Sequence, residues 1–266
     1  MSNETTDSQL STHGLSTPKI IMGAVEAIRD NCPELKDREI QHLDIGAGNG
    51  ELIEFMSRQY KGTSYACDYT TELMQIPGQK VDLCDLNSEP LPYDNDCFDV
   101  VTFTEVIEHI ENHRMVLREI FRVLKPGGHV VITTPNILNI KSRLRFLFFG
   151  FWMLFSPLHV RESKKYSTGG HINPISYFYV AHSLLDAGFD LVDERIDKVQ
   201  RSGTIPFVLL YLPIRLFGAL ALLKEDKKYH HIDEHNRDIV KKMNGLDLLL
   251  GRTLIMSAKR PASQSR

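Results

Sequence analysis

The sequence predicts an α/β protein built on a doubly wound, mostly parallel sheet, and three observations carry that expectation. Apolar, β-rich runs alternate with amphipathic helical patterns. A loop with three glycines at alternate positions opens one of the helices. At 266 residues, 42% hydrophobic and 24% charged, the chain is large enough for one sizeable core. The alternation matters because parallel strands need crossover connections, and helices supply them.

Taken in order, the opening MSNETTDSQLSTHG is polar, with two acids and no apolar stretch. It reads as neither a secretory signal nor a transit peptide, and residues 1–15 are expected to be a disordered tail ahead of a single domain over 16–266. TPKIIMGAVEAIRDNC puts Pro18 in the first turn of a helix and Ile21, Val25 and Ile28 on one side of it. EIQHLDIG is the first strand and GELIEFMSRQY the helix after it. SYACDY, KVDLCDL and FDVVTFTEV follow as strands, NHRMVLREIFRVL as a helix and HVVITTPN as a further strand. Lys125-Pro126-Gly127-Gly128 stops the preceding helix and turns the chain. In a sheet of this kind the ligand crevice lies beyond the carboxyl ends of the strands.

Composition narrows the chemistry. A formal charge of -3 gives no global attraction to nucleic acid, and no basic, aromatic groove is evident in the strand-rich half, so no nucleic-acid partner is expected. Cys32, Cys67, Cys84 and Cys97 form no C-x-x-C pair and read as free thiols of a reducing compartment. No G-x-S-x-G, H-E-x-x-H or Walker loop occurs. The His-rich KKYHHIDEH, with His230, His231 and His235, reads as a solvated segment because no second cluster completes a metal site.

The stretch HLDIGAGNGELIEFM, His42 to Met56, places Asp44, Gly46, Gly48 and Gly50 at the mouth of the first strand. Glycines let a ligand pack against backbone N–H groups, and the helix that follows offers its positive end. A dinucleotide loop needs G-x-G-x-x-G, whereas the spacing here is G-x-G-x-G and Glu51 occupies the expected third glycine position. Asp44 and Glu51 flank the loop, an awkward setting for a pyrophosphate and a comfortable one for an ammonium. A small cationic nucleoside fits best; a dinucleotide and a purely structural turn are the competing readings.

LDIGAGNG, ACDYT, DLCDLNSEPLPYDNDCFDVVTFTEVIEHIEN and EIFRVLKPGGHVVITTPN resemble the successive motifs of class I S-adenosylmethionine-dependent methyltransferases, in the branch similar to ubiquinone-biosynthesis O-methyltransferases and bacterial glycan and lipid methyltransferases. The resemblance runs from about Glu39 to Asn136 and resumes weakly in HINPISYFYVAHSLLDAGFDLV and GRTLIMSAKR. It implies a Rossmann-like, seven-stranded sheet whose last strand, RTLIMSAK, is antiparallel. S-adenosyl-L-methionine would be the cofactor. Asp44 would orient the glycine loop and meet the methionine ammonium, and Asp68 would accept both ribose hydroxyls, its two oxygens matching a cis-diol. Asp85 and the backbone of Leu86 would read the adenine amino edge, and Thr104 would touch the methionine part. Between the matching regions the correspondence thins, leaving cap or acceptor insertions at about 137–172 and 198–245. A catalytically silent scaffold that binds a partner or membrane is the alternative.

Because a sulfonium already activates its methyl group, the protein needs only to align a nucleophile and take its proton. In EVIEH, Glu105, Glu108 and His109 would share one side of a helical turn after the fourth strand. His109 is a candidate base. The competing base is His171 in TGGHINP, ahead of Asn173-Pro174, a helix entrance on a loop able to close over substrate. The similar quinone enzymes suggest a divalent cation on the Glu105, Glu108 and His109 trio, but three donors are a weak metal signature and no metal is expected.

Two apolar runs stand outside this pattern. NIKSRLRFLFFGFWMLFSPLHV sets Lys141, Arg143 and Arg145 beside Phe146, Leu147, Phe148, Phe149, Phe151, Trp152, Met153 and Phe155. IPFVLLYLPIRLFGALALL, Ile205 to Leu223, nears the length of a membrane span but carries Pro206, Pro213 and Arg215, with Lys198, Arg201, Lys224, Lys227 and Lys228 at its flanks. Peripheral membrane contact through 143–155 and 205–223 is expected, with burial as a cap or a dimer interface as the alternatives. The expected protein is therefore cytoplasmic, at the inner face of the membrane, and acts by O-methylation on a small or lipid-linked acceptor, a glycan or quinone-like hydroxyl.

Overall fold

A computed structural model describes residues 16–158 and 170–262; the tail expected over 1–15 lies outside the described residues. Helix α1, Pro18–Asn31, precedes strand β1, Ile40–Ile45, and α2, Glu51–Gln59, follows it. Next come β2, Gly62–Asp68, β3, Val81–Leu83, β4, Phe98–Thr104, α3, His113–Val123, and β5, Leu124–Pro135. The chain continues through α4, Ile140–Phe149, α5, Tyr177–Asp186, β6, Asp190–Ile196, α6, Thr204–Lys227, α7, Arg237–Lys242, α8, Leu246–Leu250, and β7, Thr253–Lys259.

The strands form a single seven-stranded sheet in the order β3-β2-β1-β4-β5-β7-β6. β1, β2, β3, β4 and β5 are mutually parallel, and β7 runs antiparallel to both β5 and β6. This is the expected sheet, with RTLIMSAK as its antiparallel strand. Every residue of β4 is buried, as a parallel strand covered on both faces requires. One face packs under α1 and α2, where Ile21, Ala24, Ile28, Leu52 and Met56 meet Ile40, Val100, Val131 and Ile255. The other lies under α3 and α5, where Leu117, Ile120, Val180 and Leu184 meet Leu43, Ile45, Val101 and Phe103.

Two boundaries depart from expectation. The Lys125–Gly128 turn lies inside β5: pairing with β4 jumps from Phe98↔Leu124 to Val100↔His129. Gly127 adopts φ +83° in this bulge, its N–H donates to the Arg260 carbonyl at 2.9 Å, and the Arg260 N–H donates to the Gly128 carbonyl at 2.8 Å. The helix expected at Asn173-Pro174 starts only at Tyr177, because the N–H groups of Ile172 and Asn173 donate to the Glu108 carbonyl at 3.0 and 2.9 Å and tie that segment to the end of β4 instead.

α4 falls within 137–172, and α6 and α7 within 198–245. α6 is a continuous helix despite Pro213 in its interior. Phe207, Leu210, Tyr211, Ile214 and Gly218 are its half-buried side, while Ile205, Val208, Leu209, Leu212, Leu216, Leu220 and Leu223 form a stripe on the opposite side, each at least half exposed. α6 is thus apolar on both sides and covered on one.

Candidate functional site

The strand order reverses between β1 and β4, and a crevice opens there beyond the carboxyl ends of the parallel strands. Asp44, Gly46, Gly48, Asp68, Asp85, Leu86, Thr104 and His109 all line it, so eight of the ten expected site residues converge on one place. Gly50 and His171 are not in the lining.

The glycine loop is shaped by contacts a side chain would block. Gly46 has φ +72°, and a Cβ there would lie 2.2 Å from Val106 Cγ2. Its N–H donates to the Cys67 carbonyl at 2.8 Å, binding the loop to the end of β2. Gly50, with φ +85°, is the N-cap of α2, and a Cβ there would lie 2.7 Å from Met74 Sδ, so helix entry at this point needs a glycine.

Four carboxylates, those of Asp44, Asp68, Asp85 and Glu105, line the crevice, and no Lys or Arg is among the described lining residues. Asp44 is 1% exposed, and its carboxyl is pushed up to about 7, first by burial and further by the nearby Asp68 charge, while a hydrogen bond from Thr102 opposes the shift. Thr102 Oγ1 donates to Asp44 Oδ1 at 2.6 Å from the neighbouring strand position. Burial also raises Asp68, against the N–H groups of Gly48, Thr70 and Tyr69; that of Gly48 donates to Oδ2 at 2.9 Å. Asp85 accepts from Ser88 Oγ at 2.6 Å and from the Asn87 N–H at 3.1 Å, which fixes the turn after β3. Such an acidic crevice suits a cation and repels a pyrophosphate.

The EVIEH segment folds differently from the expected helical turn. Glu105 sits at φ +54°, its N–H donating to the Thr133 carbonyl at 3.1 Å, and only Ile107–His109 form a turn, of 3₁₀ type. Glu108 is fully buried: Oε2 accepts from Thr134 Oγ1 at 3.2 Å, and Oε1 has no partner among the described residues. Burial holds its carboxyl well above the usual range, with the nearby Glu105 adding to the rise. His109 Nδ1 donates to the Gly170 carbonyl at 2.9 Å, and burial lowers the ring's pKa, so the neutral ring keeps Nε2 as its basic nitrogen. His171 stands edge-on to His109 with ring centroids 4.8 Å apart, and its pKa falls to about 4, first through burial. The donors that gather are thus Glu108, His109 and His171, within 4.8 Å of one another, rather than the Glu105 trio. Sequence reading missed His171 as a neighbour of His109, and also Tyr69, Asn87 and Ile110 in the lining; nothing in the spacing marks them, because each arrives through a loop.

A glycine cradle and an acidic crevice at a strand-order reversal suit a cationic nucleoside ligand. A family model for the methyltransferase domain matches residues 21–194, and the chain belongs to that family. The family is that of class I S-adenosylmethionine-dependent methyltransferases, and the chain is related in sequence to ubiquinone-biosynthesis enzymes. The chain is 34% identical over 110 residues to the ubiquinone/menaquinone biosynthesis C-methyltransferase of Desulfotalea psychrophila, covering 38% of this chain and 44% of that one. It is 33% identical over 137 residues to the demethylmenaquinone methyltransferase of Bacillus licheniformis, covering 47% and 59%. The match thus spans less than two thirds of either relative. A solved S-adenosylmethionine-dependent methyltransferase from Archaeoglobus fulgidus superposes with a TM-score of 0.53 over 90% of this chain and 94% of that one, at 17% identity, a likeness of fold.

Proposed function

We propose that this methyltransferase acts on oxygen of a small, amphipathic acceptor, a lipid-linked glycan or quinone-like hydroxyl, taken from a membrane surface. The observation that carries the reading is the His109 ring at the crevice, joined to an aromatic surface through His171 and Phe155, whose rings lie 5.2 Å apart. The cofactor supplies an activated methyl group. Asp44 would take its ammonium, Asp68 its ribose diol, and Asp85 with the Leu86 backbone its adenine, with Gly46 and Gly48 giving backbone access and Thr104 the methionine side. His109 Nε2 would accept the proton of the acceptor hydroxyl, and His171 would hold the His109 ring and close the acceptor side. One relative is named a ubiquinone/menaquinone biosynthesis C-methyltransferase and the other a demethylmenaquinone methyltransferase; removing a hydroxyl proton would also activate a ring carbon.

Purified protein with ¹³C-methyl-labelled cofactor and a fractionated lipid extract tests this directly. A product one CH2 unit heavier whose label has a methoxy carbon shift is expected, and a C-methyl shift would overturn the oxygen assignment. His109→Gln should lower turnover about 10²-fold or more with cofactor affinity unchanged, the range expected for a lost general base. Unchanged turnover would remove it as the base. A second reading rests on the gathered donors: Glu108, His109 and His171 would hold a divalent cation that polarises the acceptor oxygen. Activity lost to a chelator and restored by metal would favour it.

Membrane contact, at the cytoplasmic face, belongs to the same proposal. α6 supports it through length, about 36 Å at 1.5 Å per residue, and through a mean hydropathy of 2.0 over an 18-residue stretch in which no residue is fully buried. Beside it, Leu147 and Phe148 of α4 are 72% and 82% exposed. α6 stays against the same body at its start and past its middle, since Gly203 at its N-cap packs on Ile140 and Gly218 on Asn244. This favours a helix lying in the interface over one crossing it.

A further inference from the structure

We propose that His42 is a positioning residue for the cofactor site, acting through Thr102 to aim the Asp44 carboxylate at the methionine ammonium. The inference rests on the reading of Asp44 given above and adds two residues that do not line the crevice. His42 lies two positions before Asp44 on β1 and therefore on the same face of the sheet. It is 1% exposed, and both ring nitrogens are engaged: Nδ1 with Ser64 Oγ at 3.0 Å and Nε2 with Thr102 Oγ1 at 2.9 Å. Ser64 lies opposite His42 on β2, and Thr102 opposite Asp44 on β4, so strand register alone assembles the chain.

Proton counting gives the chain a direction. A hydroxyl has one hydrogen to donate. When Asp44 is ionised it can only accept, so the Thr102 hydrogen goes to Asp44 Oδ1, and Thr102 Oγ1 must receive its bond from His42. His42 then carries its hydrogen on Nε2, and Nδ1 accepts from Ser64. Burial holds the ring neutral, its pKa falling to about 3, so a single hydrogen resides on it and the two ends cannot both be donors. Three hydrogen bonds in sequence thus lead into Asp44 Oδ1 and support the charged form of the carboxyl. In an apolar layer between α2 and the sheet, with Leu52 and Met56 in the cluster, such a chain is costly unless every member is satisfied, and here each is.

Calorimetry with two nucleosides separates this role from mere packing. S-adenosylhomocysteine carries the ammonium, and 5′-methylthioadenosine lacks it. Thr102→Val should weaken S-adenosylhomocysteine binding about tenfold or more, the effect of losing one hydrogen bond to a charged group, and leave 5′-methylthioadenosine unchanged. Thr102→Ser and His42→Gln, each made alone and keeping a hydroxyl and an N–H, should bind S-adenosylhomocysteine nearly as tightly as the unmodified chain, whereas His42→Phe should weaken it as Thr102→Val does. Equal weakening of both ligands, or none, would overturn the proposal. On the unmodified chain, ¹⁵N-histidine spectra of the S-adenosylhomocysteine complex should show His42 as the Nε2–H tautomer; the Nδ1–H tautomer would overturn it without any variant. If Asp44→Asn leaves S-adenosylhomocysteine binding untouched, the assignment of Asp44 itself fails, a result distinct from loss at Asp44 with none at Thr102.

Discussion

At the scale of single residues, Asp44 sets the behaviour of the site. Its carboxyl titrates at about 7 in the free protein, and a cationic ligand selects the ionised form. Affinity for S-adenosylhomocysteine should therefore rise as pH climbs through about 7 and level off above it, with proton release on binding below that point. Calorimetry in buffers of different ionisation enthalpy checks this, and Asp44→Asn should flatten the profile. Gly46→Ala should destabilise the chain by about 2–4 kcal/mol, combining a left-handed alanine with an overpacked contact; denaturant unfolding gives the value, and cofactor binding should be lost with it. Asp44 was legible in the sequence as an acid at a strand end beside glycines, and Asp68 through the family resemblance; both line the crevice. His42 was not legible: one histidine inside an apolar strand gives no sign of its partners until register sets it beside Ser64 and Thr102.

At the scale of elements, α6 is the clearest case of a segment whose composition is readable and whose exposure is not. Apolar residues on all sides are compatible with a buried helix, and only the packing reveals that the stripe containing Leu209, Leu212 and Leu216 has no cover among the described residues, at 70%, 74% and 60% exposure. Replacing Leu209 or Leu212 by Asp should weaken co-sedimentation with anionic vesicles roughly tenfold or more, since each side chain contributes about 2 kcal/mol when it leaves water. Stability and cofactor affinity should not change. The expected helical turn at EVIEH failed for a local reason: Glu105 is drawn out of helical geometry by Thr133, which holds its N–H and its carboxylate from β5. Spacing cannot register a bond made across the sheet.

For the whole molecule, the doubly wound sheet and its antiparallel strand follow from the alternation and the family motifs, and the crevice falls where the strand order reverses. A ligand that bridges β1, β2 and β3 should stabilise all of it. At one hundred times its Kd, S-adenosylhomocysteine adds about 2.7 kcal/mol, which for a domain of this size raises Tm by roughly 5–10 °C. A nicotinamide dinucleotide should give no shift in the same scan.

Because β7 is inserted between β5 and β6, it is the only strand in the described residues that pairs with β6. Its seven residues work as a keystone: a chain cut before Thr253 leaves β6 unjoined and β5 with a bare, hydrophobic margin. Shortened versions of this chain should clump rather than fold, even though every residue described as lining the crevice is still present.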